Sequence, residues 1–129
     1  MYCFDSSTVI DYMKGDILIK SHLDKVGFVS IYVTSITLCE LFKGAYLSHD
    51  IEKNLSIINN LFDYFDILEL DDDAARLYGE KYSELKKIGK LTQDFDLLIA
   101  SICISHNKVL VTRNKKHFEN IKGLKLIEW

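Results

Sequence analysis

Short apolar runs alternate with longer segments of helical periodicity along this whole chain, and that alternation restricts it to a narrow set of architectures. Tyr2–Phe4, 28–33, 65–70, 109–111 and 124–127 are dominated by β-branched, aromatic and other apolar residues and read as strands. Between the first two, Ser6, Ser7 or Thr8 can cap a helix through Val9, Ile10 and Met13 that stops at Gly15, and residues 17–26 carry Leu18, His22 and Val26 on one stripe. Thr34 or Ser35 caps a helix bearing Leu38, Leu41 and Phe42, and Leu55, Ile58, Leu61 and Phe62 mark the next. Asp71 to Asp73 are acidic caps for a helix through Ala75, Leu77, Tyr78, Tyr82 and Leu85, which Gly89 breaks; Asp94 starts a strongly apolar helix over 97–104. Parallel strands need crossovers of a dozen residues or more, commonly helices, so the expected fold is α/β: three layers, with a parallel sheet of about five strands and helices on both faces.

Composition sets the scale of that fold. The 129 residues are 48% apolar and 27% charged, enough for one core, and with no Pro, few Gly and no single-sign charge run nothing marks a linker. A single domain over 1–129 is expected. No apolar run approaches the roughly 20 residues of a membrane span, and the opening segment meets Asp5 and Asp11 instead of a basic leader, so no membrane association and a cytoplasmic location are expected. Cys3, Cys39 and Cys103 lack zinc or redox spacing and are read as reduced, buried packing residues. A net charge of −3 excludes a chain that binds nucleic acid through its overall charge. Cations do gather locally, at Lys86, Lys87 and Lys90 and at Lys108, Arg113, Lys115, Lys116, Lys122 and Lys125.

The acids are better placed than the cations. Functional groups of open α/β sheets collect beyond the carboxyl ends of the strands, where Asp5 stands; Glu40 lies in the helix after the second strand, Asp94 and Asp96 open a later helix, and Thr112, Arg113 and Asn114 follow another strand. Carboxylates brought together repel one another unless a hard cation such as Mg²⁺ or Mn²⁺ neutralises them, and such a cation is suited to phosphate chemistry. Taken singly, each acid has a plainer role: Asp5 as a helix cap, Glu40 as an exposed helical acid, Asp94 or Asp96 as complements to a helix dipole. Two residues apart on a helix, Asp94 and Asp96 point different ways, and Asp94 reads first as a cap and second as a ligand.

Four blocks decide between these readings. YCFDSSTVIDYMKG at 2–15, SITLCELFKGA at 35–45, LTQDFDLLIAS at 91–101 and VLVTRNKKHFENIKGLKLIEW at 109–129 resemble, in order and spacing, the signature blocks of PIN domains of the VapC toxin group. The resemblance implies an endoribonuclease that uses Mg²⁺, with Mn²⁺ able to substitute, and cuts single-stranded or looped RNA. It implies Asp5 as the first metal-binding acid, Glu40 as the helix-borne acid acting directly or through water, and Asp96 as the third acid. Asn114 falls where relatives carry a fourth acid or Asn, so a neutral group holding a metal-bound water is implied there and one metal or two stays open. Ser6 or Ser7 and Thr112 resemble hydroxyls that orient the acids, and Arg113, Lys115 and Lys116 are the best candidates for a cationic RNA-binding rim. Relatives are toxins of type II toxin–antitoxin pairs, so a homodimer and a small antitoxin protein partner are implied.

Other classes remain as alternatives: a solitary RNA-processing PIN nuclease, a non-catalytic α/β binding module, or a receiver-like signalling domain. The last expects an acid pair directly after the first strand and a lone acid after the middle one, neither of which is in register here. A nucleotide-binding Rossmann domain lacks its Gly-rich loop. His117 reads as a structural surface residue rather than a base, and His22, His49 and His106 have no ligand spacing.

Overall fold

A computed structural model describes residues 1–129, the side chain of Val29 excepted. The chain runs β1 (Tyr2–Phe4), α1 (Ser6–Met13), α2 (Ile17–Val26), β2 (Ile31–Thr34), α3 (Ser35–Tyr46), α4 (Ile51–Leu61), β3 (Asp66–Leu68), α5 (Asp72–Lys87), α6 (Asp94–Ser105), β4 (Val109–Val111) and β5 (Lys125–Ile127). The five strands form one parallel sheet in the order β3-β2-β1-β4-β5. Phe4 pairs with Val33 on one side and Val111 on the other, so β1 is central and its two neighbours diverge in sequence.

The period of two along each strand splits the interior into two cores. Phe4, Ile31, Val33 and Val111 face Val9, Ile19, Leu23, Leu41, Ala45, Ile58 and Leu61 of α1 to α4, closed by Trp129. Cys3 and Leu110 face the opposite way, onto Ala74 and Leu85 of α5 and onto α6, which buries Leu97, Ile99, Ala100, Ile102 and Cys103 around most of its circumference. Three layers result, as the alternation requires.

Caps set the helix starts. Asp5, Asp16, Thr34, Asp50 and Asp71 each accept an amide of the first turn. Gly89, at φ 67°, ends α5 with its own amide on Lys86 O and the Lys90 amide on Leu85 O, a left-handed cap suited to glycine.

Several expectations need correction. The segment 28–33 does not begin as strand: Phe28–Ser30 is a 3₁₀ turn and β2 starts at Ile31. Phe28 is drawn instead into an aromatic cluster with Tyr12, Tyr64 and Phe65, so side-chain packing overrides its β propensity. In α2 the fully buried residues are Ile19 and Leu23; of the expected stripe Leu18 is exposed, while His22 stacks on Trp129 and Val26 packs against the core. Cys39 is exposed on α3; only Cys3 and Cys103 are buried, and the neighbouring Cys103 thiol, followed by burial, pushes the Cys3 thiol well up, which keeps it protonated.

Candidate active site

The site forms where the sheet's connectivity reverses: β1 leads to β2 on one side, and β4 returns to its other flank. Such a switch point opens a crevice beyond the strand ends. Asp5 stands at the end of β1, 4% exposed, with extended backbone that makes it the N-cap of α1. Its carboxylate accepts from the Thr8 amide at 2.9 Å, from Ser7 Oγ at 3.2 Å, and from Thr112 Oγ1 by a very short bond. These donors compensate a buried charge and fix its orientation. Thr112, fully buried after β4, also accepts from the Asn114 amide at 3.0 Å, and Asn114 Nδ2 donates to Ser7 Oγ at 3.3 Å.

Thr34 caps α3 through the Thr37 amide, and one and a half turns along that helix Glu40 reaches back over α1, where Ser6 Oγ donates to Glu40 Oε1 at 2.6 Å. Asp96 lies in the first turn of α6, where the helix dipole favours an anion. Half-buried, its carboxyl is nevertheless raised above the usual range: burial is the largest cause, the Glu40 and Asp5 charges add to it, and His117 opposes it through charge and a 3.1 Å contact between Nδ1 and Asp96 Oδ2. Asp96 thus lies within reach of the charges of both other acids.

Asp5, Glu40, Asp96 and Asn114 line one hollow of about 260 Å³ with Ser6 and Ser7; Ile10, Gln93 and His117 complete its wall. Among the described residues, no three His, Cys, Asp or Glu side chains converge tightly enough to cage a metal directly. An all-oxygen donor set of this kind fits Mg²⁺ or Mn²⁺ rather than zinc, because Mg²⁺ keeps several waters and takes only one or two carboxylates directly. Asp5, Glu40 and Asp96 are the side chains in this hollow that could hold such an ion, directly or through water.

The structure separates other candidates from this hollow. Asp94 is not the cap: Gln93 occupies that position without a side-chain bond, Asp94 is the first helical residue, and its carboxylate accepts from Tyr78 OH at 2.8 Å, away from the hollow. Neither role expected of Asp94, cap or ligand, is one its placement provides. Arg113 is not a free rim cation. It donates to Asp16 at 2.8 and 3.0 Å, to Asp11 at 3.2 Å and to Trp129 O at 3.0 Å, pinning the chain's end to α2. Lys115 lies 3.8 Å from Glu128, whereas Lys116 faces a neighbouring cavity. The late cationic cluster is dispersed further by Lys108, which sits 4.1 Å over the Tyr32 ring, and Lys125, which donates to Asn107.

Gln93 and His117 are the wall residues that residue pattern did not single out for the site. Gln93 carries no charge signal, and His117 needed its partner Asp96, 21 positions away, to be recognised. His22 stacks on Trp129 at 4.9 Å, a packing role.

The sequence model of the PIN domain matches residues 2–124. A relative described as ribonuclease VapC1, from Methanocaldococcus jannaschii, is 37% identical over 126 residues, covering 96% of this chain and 85% of the relative. One from Shigella flexneri described as a tRNA(fMet)-specific endonuclease VapC is 35% identical over 97 residues, covering 75% of this chain and 74% of its own length. Among solved structures, VapBC2 from Rickettsia felis bound to a promoter DNA fragment superposes with a TM-score of 0.93 at 30% identity, covering 99% of this chain and 98% of that one. DNA-bound VapBC from Salmonella typhimurium gives 0.94 at 29% identity, covering 99% and 97%.

Proposed function

This chain belongs to the PIN domain family, in its VapC branch, and from that membership we propose that it is a Mg²⁺-dependent endoribonuclease, the toxin of a toxin–antitoxin pair, with residues 1–129 forming one catalytic unit. The observation that supports this most is the gathering of Asp5, Glu40 and Asp96, from three separate elements, on one hollow at the switch point of the sheet. Its substrate is single-stranded or looped RNA, whose unpaired bases are open to a protein site as those of an A-form duplex are not.

When bound, the divalent ion supplies a water of lowered pKa and neutralises charge developing on the scissile phosphate. The chain's own residues do the positioning. Thr112, Ser7 and the Thr8 amide orient Asp5; Ser6 orients Glu40; and His117 orients Asp96. Asn114, neutral and bonded to Ser7, presents an amide to a water or phosphate oxygen without adding repulsion. Manganese can replace magnesium, having similar demands for oxygen ligands.

The partner is a small antitoxin, a reading supported by the likeness to chains solved as VapBC complexes, and its binding should leave the chain inactive. Protein freed of metal and incubated with a labelled single-stranded RNA should be inert, and Mg²⁺ or Mn²⁺ should restore cleavage until EDTA removes it. Full turnover by rigorously metal-free protein would overturn the mechanism.

A further inference from the structure

Beside the acidic hollow lies a larger cavity, of about 500 Å³, between the loop joining α5 to α6 and the segment after β4. The two recesses share Gln93 and His117 as a common wall. Lys90 and Lys116 stand on opposite sides of this cavity, one from each segment. Among the described residues neither forms an ion pair, although Lys115 and Arg113 beside Lys116 both do. Leu91 and Ile121 give it aliphatic surface, and Asn120 contributes an amide with two donors and an acceptor.

We propose that this cavity holds the nucleotide adjoining the scissile phosphate and reads its base, so that it sets the sequence at which the chain cuts. The proposal rests on the nuclease reading above. Its volume lies within the ~300–1,000 Å³ of small-molecule sites, far more than a phosphate group fills. No Phe, Tyr or Trp lines it, and its ring, the His117 imidazole, is held against Asp96, so stacking, which tolerates any base, does not by itself choose the base. Aliphatic faces with an amide at the edge discriminate instead, because a mismatched base covers the Asn120 amide, exposed in the free protein, without giving it a partner. Lys90 and Lys116 take the flanking phosphates, and the shared Gln93–His117 wall sets the step from the read base to the cut bond.

The test has a binding arm and a cleavage arm. In the first, backbone amide signals of residues 89–93 and 120 are followed by NMR while each of the four 5′-mononucleotides, or inorganic phosphate, is added to the whole protein. One nucleotide should shift these signals at the lowest concentration, Lys90→Ala with Lys116→Ala should weaken its binding about tenfold or more, and Lys125→Ala should leave it unchanged. In the second, ends produced from a randomised single-stranded RNA are sequenced. Asn120→Ala should erase the preference at one position next to the cut and raise KM for the favoured sequence while kcat stays within about threefold. Phosphate alone shifting the signals as strongly as any nucleotide would overturn the proposal, as would an unchanged cleavage preference in Asn120→Ala. A wild-type protein that cuts no RNA while one nucleotide still binds here selectively would remove the nuclease reading and leave the base-reading cavity standing.

Discussion

At the scale of single residues, position on a helix separates two acids that sequence places almost together. Asp96→Asn should abolish cleavage and weaken metal binding, whereas Asp94→Asn should cut RNA within about threefold of wild type, since its carboxylate serves only Tyr78. Single-turnover cleavage by the two folded variants checks this; an inactive Asp94→Asn would place the third acid wrongly. Glu40→Gln should likewise remove nearly all turnover and stay folded, because losing one charge relieves repulsion in the hollow. Thr112→Val tests orientation rather than ligation: it deletes a fully buried donor to Asp5 and should cost about 10–100-fold in activity. The same change should lower stability by about 1–2 kcal/mol, read by denaturant unfolding.

At the scale of elements, Arg113 ties the segment after β4 to α1 and α2, and its partner carries the pH signature. Hydrogen bonding to Arg113, aided by the Ile19 amide, holds the Asp16 carboxyl down at about 2, against an ordinary 3.8. A depressed folded-state pKa means stability that is fully present above pH 3.8 and is lost as pH falls through 2. Arg113→Ala should therefore melt a few degrees lower near neutrality, and its gap to wild type should narrow between pH 4 and 2. A constant gap would show that the ion pair contributes nothing there. The helices and most strands were legible because each is set by local period and, at Thr34 and Asp71, by a capping side chain next to the helix it starts, whereas Asp5 rather than Ser6, Ser7 or Thr8 caps α1 and Gln93 rather than Asp94 precedes α6. What was hidden depends on partners distant in the chain. Nothing near Arg113 announces Asp16, 97 residues away, so a buttress read as an RNA contact; nothing near Phe28 announces Phe65, so a turn read as strand. The acids of the site were legible mainly through block order and spacing, for with 19 Asp and Glu residues proximity in sequence alone discriminates poorly.

At the scale of the whole molecule the net charge is −3, and of the three cations at Arg113, Lys115 and Lys116 only Lys116 has no acidic partner among the described residues. Lys116→Ala should flatten the salt dependence of single-strand binding by about 0.7 in log–log slope, the share of one phosphate, while Lys115→Ala should barely change it. Under the VapC reading the 14.9 kDa chain should also scatter light as a dimer and form an inactive complex with its antitoxin; a monomer that no partner inhibits would contradict that reading. The hydrogen bond from Thr112 to Asp5 spans 107 positions, and the Asp5 amide itself rests on Val111 O. Asp5 is therefore made long before Thr112, and a nascent chain gains this orienting contact only once β4 has been synthesised and lies beside β1.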